Sequence, residues 1–133
     1  MFEDQNIDLE KYPEIKVSEY IYDMDLALNA ADLIIARSGG SVSEMTALGK
    51  AAILIPSPFV AGNHQEHNAR AVEKSGGAIV INQAELSFES LSKAADSILC
   101  DAEVLERMSR CSKSIGITDA TDKIYEIMKE LIG

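Results

Sequence analysis

Three short apolar runs, LIIA at 33–36, AILI at 52–55 and AIVI at 78–81, carry no polar residue at alternate positions. A strand with one face in water alternates apolar and polar side chains, so runs like these belong to strands covered on both faces. That is the mark of a parallel sheet between helix layers, and it demands a helical crossover between successive strands. The intervening segments supply the crossovers. Ser41 to Gly49 opens with Ser41 and Glu44 at capping-box spacing and closes at a glycine. Asn63 to Ser75 opens with Asn63 and Glu66 at the same spacing and stops at Gly76-Gly77. Upstream, IKVSEY at 15–20 alternates and reads as a fourth strand. Asp23 is placed to cap a short helix through Ala31, with Met24, Ala27, Leu28 and Ala31 on one face. Three helices close the chain. Ser87 to Cys100 presents Leu91, Ala94, Ala95 and Ile98, and Asp101 to Ile115 presents Val104, Met108 and Cys111. Asp119 to Ile132 presents Ile124, Ile127, Met128 and Leu131. The expected order is βαβαβαβααα, an α/β fold with a parallel sheet of about four strands and helices on both faces.

At 133 residues the chain is sized for one domain, with residues 1–13 as a poorly defined lead-in. The formal charge of −10 repels phosphate polyanions, which argues against a general nucleic-acid binder. Cys100 and Cys111 are too few for a disulfide framework, suit a reducing compartment, and fall on apolar helix faces as core residues. No apolar run approaches the ~20 residues of a membrane span, and the acidic N-terminus MFEDQNIDLEKY lacks the character of a signal peptide. The expectation is a cytoplasmic domain without a transmembrane segment.

Ligands of parallel sheets bind beyond the carboxyl ends of the strands, in loops that lead into helices. Two loops here are unusual. Arg37-Ser38-Gly39-Gly40-Ser41 leaves LIIA and enters a helix, so its glycines and free N–H groups suit a phosphate. Glu44, one turn further, has two candidate roles: the acid of the capping box, or an acceptor for ribose hydroxyls. The second loop, Pro56 to Asn63, leads into His64-Gln65-Glu66-His67-Asn68-Ala69-Arg70. So many hydrogen-bonding side chains at a helix start suit a sugar, and equally suit a solvated helix end. His64, Glu66 and His67 lack a further ligand at suitable spacing, so no metal is expected. No nucleophilic triad or reactive-thiol setting stands out.

At these loops a resemblance emerges. EYIYDM (19–24), ADLIIARSGGSVSEMTALGKAAILIPSP (31–58) and NHQEHNARAVEKSGGAIVI (63–81) resemble, in order and spacing, the C-terminal half of the MurG family of glycosyltransferase family 28. The similarity runs from about residue 14 to the end and includes TDAT at 118–121. It implies a GT-B enzyme with Rossmann-like domains that moves GlcNAc from UDP-GlcNAc to the undecaprenyl-linked muramyl-pentapeptide precursor of peptidoglycan, without a cofactor. Carried over by motif, Tyr20 and Ile21 lie at the uracil, and Gly39, Gly40 and Ser41 border the diphosphate. Glu44 takes the ribose hydroxyls, while His64, Gln65 and Asn68 face the GlcNAc and diphosphate end. Arg37 matches a family arginine without an assigned role. RSGGSVSE is one residue shorter than the commoner family loop.

The resemblance also implies that two central strands, the acceptor-binding N-terminal half and the catalytic base lie outside this sequence. The catalytic residues are therefore expected elsewhere, and the chain alone is expected to turn over little or not at all. The full enzyme is expected at the inner face of the cell membrane. The orphaned strand 15–20 is then expected beside 33–36, from its own chain or from a second copy, giving a dimer. Two other readings stay open: the donor subunit of a two-chain UDP-GlcNAc transferase, and a non-catalytic nucleotide-sugar-binding module.

Overall fold

The structure, a computed structural model, describes residues 8–117 and 120–133, with the backbone alone at 120–121. Half of the TDAT segment at 118–121 thus lies outside the described residues. At the centre is β2 (Ala51–Leu54), whose four residues are all buried. It pairs in parallel with β1 (Leu33–Ala36) on one side and β3 (Ala78–Val80) on the other, in the order β1-β2-β3. The register sets Ile35 against Ile53 and Ile53 against Ile79.

Alternation along β2 divides the core. Ala52 and Leu54 face Leu28 of α1 (Met24–Ala30), Met45 of α2 (Ser41–Leu48), and Ala69 and Val72 of α3 (His64–Ser75). Ala51, Ile53 and Ile55 face the opposite way. They meet Ala94 and Ile98 of α4 (Phe88–Leu99) and Met108 of α5 (Ala102–Ile115). Helices therefore cover both faces, as the unalternating runs require.

The three unalternating runs form strands and the expected helices form around them, but several helix starts form differently. Gly40 occupies the N-cap of α2 in helical conformation, so Ser41 is already inside the helix and no Ser41–Glu44 box forms. Asn63 precedes α3 at φ 55°, a left-handed geometry that turns its side chain away from a capping bond. Glu66 binds Arg70 instead. Asp23 sits at the start of α1 without a side-chain cap. Caps do form at Ser87, whose partner is Ser90, and at Asp101, which accepts from the Glu103 and Val104 amides.

The C-terminal half of α5 closes the lower end of the sheet. Its backbone approaches so near that a Cβ on Gly77 would lie 2.8 Å from Ser112 Cα, and one on Gly116, just past the helix, would lie closer still to the Thr46 carbonyl. Cys111 packs by Gly76, half-buried, whereas Cys100 is exposed at the end of α4, contrary to its expected core position. Lys113 Nζ donates to the Ala47 carbonyl.

The expected fourth strand is absent. Residues 15–20 form no ladder, Ile15 and Val17 are exposed, and the Ile15 amide bonds back to Tyr12. Alternation registers fitness for a half-covered sheet position; it does not supply a partner edge. Among the described residues β1 pairs with β2 alone, so its outer edge stays open. Ile35 is 48% exposed there. α6 (Ala120–Ile132) likewise leaves Ile124, Ile127, Met128 and Leu131 exposed.

One buried group in this frame is costly. Ser112 is fully buried and, among the described residues, its hydroxyl has no hydrogen-bond partner. An unsatisfied buried hydroxyl costs about 1–3 kcal/mol, so Ser112→Ala is expected to leave the urea midpoint unchanged or raise it. A lower midpoint would show that the hydroxyl finds a partner.

Candidate functional site

The exits of β1 and β2 are tied to the first turns of α3 by polar bonds. Ser38, directly after Arg37 at the end of β1, is fully buried. Its hydroxyl donates to the Gln65 carbonyl at 2.6 Å, and Asn68 Nδ2 donates to the Ser38 carbonyl at 3.0 Å. Gln65 Oε1 accepts the Ser57 amide at 2.8 Å, fixing the chain between Pro56 and Pro58. Gly62, at φ 66°, and Asn63 turn the backbone into α3, and His64 Nδ1 lies 3.0 Å from the Ala61 carbonyl. Gln65 and Asn68, expected as sugar contacts, thus each spend one polar group inside the protein. Gln65 Nε2 and Asn68 Oδ1 remain without a partner among the described residues.

Gln65 Nε2 lies over the glycine loop, 3.7 Å from where a Cβ on Gly39 would sit. Here the backbone amides of Gly39, Gly40 and Ser41 make no hydrogen bond among the described residues. They open α2, where such donors and the positive helix end attract an anion. A groove of about 370 Å³ begins at Gly39, Gly40 and Asn68 and continues between α2 and α3 past Ser43 and Thr46.

Glu44 projects on another side of α2. It lines an apolar hollow of about 300 Å³ with Met24, Asp25, Leu28, Ala47 and Leu48. Its carboxylate has no hydrogen bond or ion pair among the described residues, so the capping role is vacant and the acceptor role is open. Tyr20 and Ile21 precede α1 and are exposed, with the Tyr20 ring edge-to-face on Tyr22 at 5.0 Å. They do not line the Glu44 hollow; Met24 does.

A third hollow, about 440 Å³, lies between the Pro56–Phe59 segment and the Asn82–Ala84 turn. Arg70 braces it. Its guanidinium reaches Glu66 and Glu73 at 2.7 Å and Asn82 Oδ1 at 3.0 Å. The bonds to Glu73 and Glu66 raise its pKa above the ordinary arginine value, so the brace stays charged. Sequence reading missed Ser38 and Ser57, whose parts depend on burial and backbone contacts that no residue pattern encodes.

Residues 1–131 match the family described as glycosyltransferase family 28 C-terminal domain. The chain belongs to that family. Among the relatives, a UDP-N-acetylglucosamine--N-acetylmuramyl-(pentapeptide) pyrophosphoryl-undecaprenol N-acetylglucosamine transferase from Acetivibrio thermocellus is 49% identical over 123 residues. The aligned part is 92% of this chain and 33% of that protein. A protein of the same name from Listeria welshimeri is 48% identical over 120 residues, 90% of this chain and 33% of its own. The crystal structure of Acinetobacter baumannii MurG superposes with a TM-score of 0.79 at 29% identity, covering 87% of this chain and 33% of that one. The chain therefore spans about a third of the length of the curated relatives it matches.

In this glycosyltransferase family 28 domain, Ser38 is the tie that joins the glycine loop to α3. Removing one neutral hydrogen bond costs about 0.5–1.5 kcal/mol, so Ser38→Ala is expected to lower unfolding stability by that amount in a urea titration. Glu44→Gln, by contrast, is expected to change it by about 0.5 kcal/mol or less, as for an exposed side chain without a partner.

Proposed function

We propose that the chain is the donor-binding part of a transferase that moves GlcNAc from UDP-GlcNAc to a lipid-linked muramyl-pentapeptide in peptidoglycan synthesis. The observation that carries this reading is the pairing of two features on α2 of a family 28 domain. The free amides of Gly39, Gly40 and Ser41 stand at its start, and the unengaged Glu44 carboxylate lies one turn on. Amides at a helix start match a diphosphate, and a free carboxylate matches ribose hydroxyls. His64, Gln65 and Asn68 stand at the sugar end, with Gln65 Nε2 and Asn68 Oδ1 as the groups left to offer. Tyr20 and Ile21, exposed ahead of α1, are assigned to the uracil.

In this reading the whole of residues 1–133 is one partial domain. Its partners are UDP-GlcNAc or UDP and an acceptor-binding half supplied by other sequence, at the inner face of the cell membrane. Transfer proceeds with inversion. It requires a base to take the acceptor hydroxyl's proton as the nucleotide diphosphate departs, while the glycine-loop amides stabilise the developing charge. That base belongs to the acceptor half, so the chain alone does not turn over. The open β1 edge, with Ile35 exposed, supports a second copy as the cover in isolation, making a homodimer.

Calorimetric titration tests the donor reading. UDP and UDP-GlcNAc are expected to bind and free GlcNAc is not, because the contacts lie on uracil, ribose and diphosphate. Glu44→Gln is expected to weaken UDP by about tenfold, the scale of a hydrogen bond to a charged group, with melting unchanged. Absence of any uridine contact in saturation-transfer NMR at millimolar ligand would sink the reading. Light scattering at the monomer mass would separately remove the dimer.

A further inference from the structure

Arg37 matches a family arginine, yet the donor reading gives it nothing to do. Its surroundings are specific. Nη1 donates to the Ile55 carbonyl at 3.2 Å and also to Gln83 Oε1. Arg37 itself follows β1, Ile55 follows β2, and Gln83 opens the 3-10 turn after β3. One nitrogen therefore joins the exits of all three strands.

The far end of this clamp is itself anchored. Gln83 follows Asn82, whose Oδ1 accepts from Arg70 Nη2 at 3.0 Å and whose Nδ2 donates to Glu85 Oε2 at 3.3 Å. Arg70 is fixed in turn by Glu66 and Glu73 on its own helix. A chain of bonds thus runs from α3 through the β3 exit and back to the first residue of the glycine loop. Ser38 joins that loop to α3 from the other side through Gln65 and Asn68.

We infer that Arg37 is a positioning residue for the donor site, holding the start of the glycine loop in register with the β2 and β3 exits through Ile55 and Gln83. Arginine supplies the reach. A lysine side chain ends one bond sooner, so its ammonium stops short of the point between the two acceptors that Nη1 occupies. Gln83 is the useful control, because it sits beyond β3 and, among the described residues, its side chain hydrogen-bonds to Arg37 alone.

The inference rests on the donor reading for its binding readout, so the test has a second readout that does not. Amide resonances of Gly39, Gly40 and Ser41 are followed by NMR in ligand-free wild type, Arg37→Lys, Gln83→Leu and the double variant, with UDP affinity measured by calorimetry. Each single variant is expected to move the three resonances and to weaken UDP by about three- to tenfold, the scale of one lost hydrogen bond. The double variant is expected to do no worse than the more severe single, since the two act as a unit. Unmoved glycine-loop resonances in Gln83→Leu would overturn the inference, as would a lower melting temperature with UDP affinity unchanged. A loss confined to Arg37→Lys would also overturn it and make Arg37 a direct phosphate contact. If wild type binds no UDP but the resonances still move, the donor reading fails and the positioning role stands.

Discussion

Burial of β2 on both faces is the constraint from which the rest of the molecule follows. Its side chains divide between two apolar clusters, and each fully buried Leu or Ile contributes about 1.5–3 kcal/mol relative to exposure. Because the strand is sealed, its backbone polar groups have to be satisfied by ladders on both sides, which fixes β1 and β3 as parallel neighbours. Parallel neighbours require crossovers, and the crossovers are α2 and α3. Their starts then lie together at the carboxyl end of the sheet. The candidate site is a geometric product of that arrangement, before any particular side chain is considered.

What a sequence transmits about such a fold depends on how local the signal is. LIIA, AILI and AIVI were legible because double-sided burial demands uninterrupted apolar residues, and the faces of α4 and α5 followed from helical spacing. Capping at Ser41 and Asn63 was misread because spacing describes only opportunity. Gly40 takes the N-cap of α2, and Asn63 adopts a left-handed conformation, so neither box closes. The strand expected at 15–20 failed for a related reason: pairing needs an edge as well as a pattern. The glycine loop's place between β1 and the start of α2 was legible. The buried Ser38 tie and the Arg37 clamp were not, since their partners stand 18 to 46 residues away in sequence.

Polar ties do different work from the apolar core. The core holds sheet and helices together without specifying where a loop stops to within an ångström. Directional bonds supply that accuracy. Ser38 with Gln65 and Asn68, Gln65 with Ser57, and Arg37 with Ile55 converge on the loops at one end of the sheet. At the opposite end, α5 reaches the same closeness by another means. There, glycines at 77 and 116 remove the side chains that would hold backbones apart, and a lysine caps the α2 terminus.

The charge of −10 gives this division a functional consequence. An acidic protein that takes a diphosphate gains nothing from its overall field, so attraction has to be local. In the proposed donor site it would come from the backbone amides at the start of α2, whose partial charges are set by the helix and do not depend on neighbouring lysines. Amides bind only where the loop geometry points them at the ligand together. A lysine on a flexible stem follows a misplaced phosphate; three backbone donors do not. A site built from amides therefore depends on its bracing more than a cationic site does. Under the proposed donor reading, that dependence accounts for a fully buried serine and a two-acceptor arginine at the residues immediately before the glycines.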